Sequence, residues 1–198
     1  MPSQHPLPPR HRHPIFIGVA GRMGSGKTSA AKYLGSRYGF QYTRYSQMLQ
    51  DWLSGGNVDR CRLQILGWDV MAGGLQAELN TRLIAGIDRS RSAAIDGVRH
   101  PVDFDSLSSS FGTSFSMIFL DARPQHRFDR LRDRFESFAE FQAADSHPVE
   151  SHIDGLEPLA RLTISTEDSL EPESGVLWPS KCGRKGRPMR FRAQFWYH

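Results

Sequence analysis

The sequence predicts an α/β protein in which a five-stranded parallel sheet is covered by helices on both faces. Three observations predict it: five short apolar segments, helix-length patterns between them, and a glycine-rich turn that joins the first segment to a helix. Alternating strands and helices are typical of parallel sheets, because each parallel connection must cross over the sheet. A length of 198 residues suits one such domain.

The five apolar segments are predicted to be short, buried strands. Each is four or five residues long and rich in apolar or β-branched residues, and most are bounded by polar or glycine-containing stretches. The predicted strands span residues 15–19, 40–43, 93–96, 116–120 and 162–165.

Helix-length patterns lie between these strands. The first helix is predicted over residues 27–38 and stops at Gly39, and the second, SQMLQDWL, stops at a pair of glycines. Between residues 59 and 88, apolar residues recur every three or four positions, with an interruption at Gly73. That stretch therefore predicts two helices.

The two ends of the chain differ from its body. Residues 1–13 hold four prolines and three histidines and are predicted to be a disordered arm, with the domain over 14–170 and a flexible tail over 171–198. The tail has six Lys/Arg and two acidic residues, which accounts for the whole net charge of +4. Its interleaved aromatic residues would suit nucleic acid, but a solvated extension is the favoured interpretation.

The cysteine content and the hydropathy of the sequence indicate the cellular compartment in which the protein is expected. Two widely separated cysteines lack any metal-ligand spacing, and no apolar run approaches the ~20 residues of a membrane span. We therefore expect a cytoplasmic protein with no membrane partner.

The segment GRMGSGKT, residues 21–28, carries the strongest chemical signal. It fits the pattern GxxxxGK[ST] between a predicted strand and a predicted helix, as a phosphate-binding loop must. Its glycines let backbone amides turn towards a phosphate, and the helix N-terminus adds positive partial charge. We expect ATP and Mg²⁺ as cofactors, with Lys27 reaching the phosphates and Thr28 the metal. The residues predicted to bind ATP are Gly21, Met23, Gly24, Ser25, Gly26, Lys27, Thr28 and Ser29.

The segment IDGVRHP places Asp96 and Arg99 at the carboxyl end of the third strand. Ligands bind at that end of an open parallel sheet, so both side chains are expected beside the phosphates. Asp96 is predicted to hold Mg²⁺ through water or to orient the acceptor, and Arg99 to bind an acceptor phosphate. A surface Asp/Arg pair is the alternative interpretation.

The segment LDARPQHRFDRLRDRF is predicted to form a helix after Pro124. Arg127, Arg130 and Arg134 would then share one face, at positions i, i+3 and i+7. Arginines beyond a strand end can neutralise the charge that spreads over a transferring phosphoryl group. A solvated basic face is the alternative.

These three segments together resemble the P-loop kinases of small metabolites, the group that includes adenylate kinase, other nucleoside monophosphate kinases and dephospho-CoA kinase. The stretch after residue 134 is also similar to phage and bacterial relatives that act on deoxynucleotides or modified DNA bases. The resemblance implies a three-layer P-loop NTPase fold, a helical lid over the phosphates, and an acceptor site after the second strand. The residues that it assigns to the acceptor are Arg44, Ser46, Gln47, Arg62, Arg82 and Arg99.

The acceptor that the sequence favours is a nucleoside or deoxynucleoside monophosphate. Dephospho-CoA kinases usually carry an aspartate just after the second strand, whereas this chain has no carboxylate there before Asp51. An acceptor that is already an anionic phosphate needs no base. Two alternatives stay open: a kinase for a hydroxyl acceptor, such as dephospho-CoA, a nucleoside or a hydroxymethylated DNA base, and an ATP-binding regulatory module with little turnover.

Overall fold

A sheet of five parallel strands forms the centre of the computed structural model, which describes residues 13–53, 60–150 and 152–167. The strands are β1 (Phe16–Ala20), β2 (Gln41–Arg44), β3 (Ala93–Val98), β4 (Phe115–Asp121) and β5 (Leu162–Ser165). Their order is β2-β3-β1-β4-β5, and every neighbouring pair is parallel. The predicted five-stranded parallel sheet is confirmed.

Seven helices connect these strands within the described part of the chain. They are α1 (Lys27–Tyr38), α2 (Tyr45–Leu53), α3 (Arg60–Ala72), α4 (Gln76–Ala85), α5 (Pro101–Phe111), α6 (Pro124–Asp129) and α7 (Phe138–Asp145). The described residues also form three short 3₁₀ helices, over Gly112–Ser114, Pro148–Glu150 and Asp154–Leu159. None of the described helices is long and apolar enough to span a membrane.

The two faces of the sheet bury separate apolar clusters. Ile17 and Val19 pack with α1 on one face, whereas Phe16 points to the opposite face and joins the side chains of α2 to α5. Successive strand residues point to opposite faces, so strands covered on both sides are apolar almost throughout. The three-layer arrangement of the prediction is therefore confirmed.

The arginine-bearing segment that the resemblance identifies as a lid, residues 121–134, differs from the single helix predicted for it. α6 ends at Asp129, and residues 130–134 form turns instead of continuing the helix. Backbone bonds from Leu131 to Phe128 and from Arg134 to Leu131 tighten the chain, and the Leu131 side chain is buried against Met23. Burial of that leucine outweighs helical periodicity, so the prediction that one helical face carries all three lid arginines is wrong.

The predicted N-terminal arm and basic tail fall almost wholly outside the described residues. The described chain begins at residue 13 and ends at residue 167. The boundaries predicted at residues 14 and 170 therefore stay predictions.

Candidate active site

The loop between β1 and α1 has the backbone shape of a phosphate cradle. Gly21, Gly24 and Gly26 have φ angles of 136°, 78° and 93°, which residues other than glycine rarely adopt. A Cβ atom at Gly21 would lie 2.2 Å from the Leu120 carbonyl oxygen. Gly26 precedes α1 without a side-chain cap, so the first amides of this helix are open to an anion.

Replacing Gly21 with alanine should disrupt this cradle. We expect the free energy of unfolding to fall by about 2 kcal/mol, from the strained φ and the overlap with Leu120, and ATP binding to be lost. Gly39→Ala is the matched control: its φ is also positive, at 73°, but no atom lies within 4 Å of the added Cβ. It should cost about 1 kcal/mol and leave ATP binding intact. Urea denaturation and ATP calorimetry would check both, and normal ATP affinity in Gly21→Ala would contradict the cradle.

Lys27 lies inside the loop. Its Nζ atom donates hydrogen bonds to the carbonyl oxygens of Gly21, at 2.6 Å, and Arg22, at 2.8 Å. Ser25 is also buried within the loop, and its hydroxyl oxygen has no hydrogen-bond partner in the part of the chain that the structure describes. A lysine and a hydroxyl without a described partner, enclosed by glycines with positive φ angles, fit a phosphate group.

Asp96 joins the loop to the centre of the sheet. The carboxylate is buried, and its Oδ2 atom accepts hydrogen bonds from the Thr28 hydroxyl at 2.7 Å and the Tyr42 hydroxyl at 2.9 Å. Burial, together with the nearby Asp96 carboxylate, raises the pKa of Tyr42 to about 12, so this phenol stays a donor. A hydroxyl and a carboxylate are hard oxygen ligands and fit a Mg²⁺ ion that takes its remaining ligands from phosphates and water.

A cleft of about 740 Å³ opens over the loop and the carboxyl ends of β2 and β3. Among the described residues, six cationic side chains line it, against two carboxylates, those of Asp96 and Asp103. The cations are Lys27, Lys32, Arg44, Arg99, Arg130 and Arg134. Of the other residues predicted to bind ATP, Met23, Gly24, Gly26, Thr28 and Ser29 also line the cleft, whereas Gly21 and Ser25 are buried in the loop. This excess of positive charge suits an anionic ligand.

Three residues predicted to bind the acceptor come together in the cleft. They are Arg44, Ser46 and Arg99, and the Nε atom of Arg44 donates to the Ser46 hydroxyl at 2.5 Å. Arg44 ends β2 and Arg99 follows β3, its neighbour in the sheet, which explains why they meet.

The other three predicted acceptor residues lie outside the cleft lining. Gln47 donates to Asp51 at 2.8 Å on the exposed side of α2. Arg82 pairs with Glu78 on α4 at 2.7 Å, and Arg62 is an exposed residue of α3. The structure does not bring these three side chains to the site.

The three lid arginines have different environments. Arg127 is 3% exposed and donates two hydrogen bonds to the Asp145 carboxylate, at 2.6 and 2.8 Å, and another to the Met23 carbonyl oxygen at 3.1 Å. Arg130 contacts the Gly24 carbonyl oxygen at 3.2 Å and also faces the cleft. The guanidinium of Arg134 is exposed at the cleft, with no partner among the described residues.

Residues 17–146 match a protein-family model described as an AAA domain. The chain belongs to this family. The matched range holds the phosphate loop, Asp96, Arg99 and the lid arginines, so the family assignment covers most of the candidate site. No curated protein matches the sequence.

Several solved structures similar to this AAA domain are kinases. A gluconokinase from Sinorhizobium meliloti is 16% identical, with a TM-score of 0.51 over 81% of this chain and 87% of that one. A shikimate kinase from Acinetobacter baumannii, in complex with shikimate, is 15% identical, with a TM-score of 0.51 over 79% and 86%. A shikimate kinase from Bacteroides thetaiotaomicron is 14% identical, with a TM-score of 0.52 over 78% and 87%. At such identities the likeness concerns the fold, and the predicted three-layer P-loop NTPase fold is confirmed.

The AAA domain also contains site residues that the sequence analysis missed. Arg22 of the loop donates to Asp154 at 2.6 and 2.9 Å and to the backbone oxygen of Asp145 at 3.1 Å, while Arg99 pairs with Glu150. Tyr42 was missed as well. The residues of each pair are between 51 and 132 positions apart in the chain, and Tyr42 is 54 from Asp96. No local sequence pattern could have revealed them.

His100, which lines the cleft, also caps α5. Its Nδ1 accepts a hydrogen bond from the Val102 amide at 3.2 Å, and Asp103 accepts one from the His100 amide at 3.0 Å. Burial, and then the nearby His152 ring at 4.5 Å, lower the pKa of His100, whereas burial raises the pKa of Asp103. The folded AAA domain therefore favours a neutral imidazole here.

The stability of the AAA domain should depend on this imidazole. Because the unfolded chain binds a proton more readily at His100, the free energy of unfolding decreases as pH falls from about 7.5 to about 5.5. His100→Asn keeps a capping side chain but does not titrate, so its melting temperature should fall less over the same range. Thermal melts at both pH values would check this, and equal falls in the two proteins would contradict it.

Proposed function

We propose that the protein is an ATP-dependent kinase that transfers the γ-phosphate of Mg·ATP to a small anionic acceptor, a nucleoside or deoxynucleoside monophosphate. The observation that carries the proposal is the cleft, where the phosphate loop shares one cavity with Arg44 and Arg99. A second set of cations beside the loop suits a second anion, which a simple ATP-binding module would not need. We also propose a cytoplasmic location.

The donor half of the cleft binds ATP through the loop amides and Lys27. Lys27 would exchange its two carbonyl partners in the loop for phosphate oxygens. Thr28 and Asp96 would hold the Mg²⁺ ion, which neutralises charge on the phosphates when bound. Arg130 and Arg134 would face the transferring group, and Arg127 would keep the lid on the loop through Asp145 and Met23.

The acceptor half combines charge with an apolar wall. Arg44 and Arg99 would bind the acceptor phosphate. Gln64 and Gln76 also line this half, with their amide nitrogens bonded to Ala144 and Asp103. The apolar side chains that complete this wall would pack on a base or sugar; they are Leu49, Leu63, Met71 and Leu79. A phosphate acceptor is already nucleophilic, so this half needs no general base.

A hydroxyl acceptor is the second candidate, and the geometry of Asp96 favours it. Both hydrogen bonds from Thr28 and Tyr42 go to Oδ2, and no described residue bonds Oδ1. That free oxygen, in a residue that lines the cleft, could accept a proton from an attacking hydroxyl. The similar structure bound to shikimate shows this fold with an acceptor that is not a nucleotide.

The proposal is tested by ADP production from Mg·ATP against a panel of acceptors. The panel contains ribo- and deoxynucleoside monophosphates, shikimate, gluconate, dephospho-CoA and hydroxymethylated DNA. We expect a monophosphate to give turnover well above the water background. Turnover with hydroxyl acceptors alone, namely shikimate, gluconate, dephospho-CoA or hydroxymethylated DNA, would establish the second candidate. ATP binding without any acceptor-dependent turnover would contradict both.

A charge-matched pair of variants tests the acceptor half. Arg44→Gln removes a cleft cation and should raise the KM of the acceptor at least tenfold. Arg132→Gln removes an exposed cation that pairs with Asp129 outside the cleft, and should leave that KM unchanged. Equal KM values in the two variants would mean that Arg44 does not contact the acceptor.

A further inference from the structure

Glu150 is a buried carboxylate outside every motif of the sequence. It ends the 3₁₀ helix Pro148–Glu150, which packs against α3, and its side chain is 1% exposed. Its Oε1 atom accepts a hydrogen bond from Nη1 of Arg99, whereas Oε2 is buried and has no partner among the described residues. A buried charge with an unused oxygen is costly, so the Arg99 pair is what stabilises it.

Arg99, the partner of Glu150, reaches into the cleft. Its side chain is 33% exposed and lines the cavity. Glu150 uses Nη1, and no described residue bonds Nε or Nη2 of Arg99. These two nitrogens form a planar fork that matches two oxygens of a phosphate or carboxylate. A guanidinium fixed at one corner loses less side-chain entropy when its free fork binds a ligand.

We propose that Glu150 is a positioning residue: it orients Arg99 so that the free fork of the guanidinium binds the anionic group of the acceptor. The inference rests on the proposed function, because it takes the cleft beside Arg99 as the acceptor site. It adds a residue and a physical cause, namely a buried counter-charge that holds an acceptor-binding arginine in one orientation.

The position of Glu150 also connects the two halves of the cleft. Asp145 and Asp154, which lie on either side of Glu150 in the sequence, bind Arg22 of the phosphate loop. These three residues therefore hold the phosphate loop through Arg22 and orient Arg99 through Glu150. Acceptor affinity should accordingly depend on a residue that never touches the acceptor.

The opposite role for Glu150 makes an opposite prediction. If its carboxylate occupied Arg99 as a competitor of the acceptor, removing its charge would free the guanidinium and tighten anion binding. If it orients Arg99, removing its charge releases the guanidinium and weakens anion binding. The sign of the change therefore separates the two roles.

The experiment measures anion binding to the full chain by calorimetry, with the phosphate loop saturated by Mg·ADP. The probes are inorganic phosphate and AMP. Glu150→Gln, which keeps the shape and removes the charge, should raise the Kd of bound probes about tenfold and leave the Kd of Mg·ADP unchanged. Glu157→Gln is the matched control, because Glu157 is exposed in the adjacent 3₁₀ helix and its side chain has no described partner.

A double-mutant cycle tests whether Glu150 acts through Arg99. Adding Glu150→Gln to Arg99→Gln should cause no further loss of affinity, because the oriented group is already absent. Thermal melts check that each variant is folded. Should Glu150→Gln fail to fold, Glu150→Asp retains the charge but shortens the side chain, and should still raise the Kd several-fold.

Each outcome separates this inference from the proposed function. Phosphate binding that depends on Glu150, without AMP binding, would support the inference and count against a nucleotide acceptor. AMP turnover with a Kd unchanged by Glu150→Gln or Glu150→Asp would support the function and overturn the inference. Tighter binding in Glu150→Gln, or no phosphate binding by the wild-type protein, would also overturn it.

Discussion

Replacing Lys27 with methionine should lower acceptor-dependent ADP production by about a thousandfold, the largest effect that we expect from one side chain. Methionine keeps an unbranched, apolar side chain of similar length but lacks the ammonium group. In the structure this group lies 2.6 Å from the Gly21 carbonyl oxygen and 2.8 Å from that of Arg22. The transferring phosphoryl group would then lose a cation held inside the cradle, where little water can replace it.

Lys32→Met is the comparison for this prediction. Lys32 also lines the cleft, one helical turn beyond Thr28, but it is exposed and has no partner in the described part of the chain. A cation surrounded by water contributes less, so its loss should reduce kcat less than tenfold. Steady-state ADP assays on both variants check the difference. More than a tenth of wild-type activity in Lys27→Met would contradict the role of the cradle.

Replacing Asp96 with asparagine should have the second largest effect, a fall in kcat of about a hundredfold or more. The amide has nearly the same shape but carries no charge for Mg²⁺, and it can no longer accept from both Thr28 and Tyr42 while offering a free carboxylate oxygen. Tyr42→Phe removes one of those two donors and leaves the charge. It should cost less than tenfold, as expected for one hydrogen bond of about 1 kcal/mol.

Assays at increasing Mg²⁺ concentration distinguish the two variants. Asp96→Asn should need more Mg²⁺ to reach its own maximal rate, because its metal ligand has lost its charge, whereas Tyr42→Phe should show a wild-type Mg²⁺ dependence. A loss in Tyr42→Phe as large as that in Asp96→Asn would indicate that the carboxylate acts through its orientation alone.

The strands, the first helix and the phosphate loop could be predicted because local interactions specify them. Gly39 ends α1 where the sequence indicates, and all five strands lie within two residues of their predicted bounds. Glycines at three loop positions with positive φ are readable from the sequence, since other residues would be strained there. Asp96 and Arg99 could be placed at the site because they follow a strand of a parallel sheet.

The side-chain contacts of the lid and of the acceptor half of the cleft could not be predicted from the sequence. Helical periodicity placed Arg127, Arg130 and Arg134 on one face, but burial of Leu131 against Met23 turns the chain after Asp129 and leaves Arg127 enclosed. Helical periodicity applies only while the helix continues. The end of α6 depends on the contact of Leu131 with Met23, a residue more than 100 positions earlier in the chain.

By itself, the sequence determined the α/β architecture, the phosphate cradle and the strand ends at which the site lies. Strand patterns, glycine positions and the GxxxxGK[ST] spacing each involve only a few neighbouring residues, so they can be recognised in the sequence. Only the tertiary structure decided which cations share the cleft and which carboxylates hold them. The packing of distant segments joins Arg99 to Glu150, Arg22 to Asp154 and Tyr42 to Asp96. Ion pairs and hydrogen bonds of that kind produce no periodic pattern in the sequence.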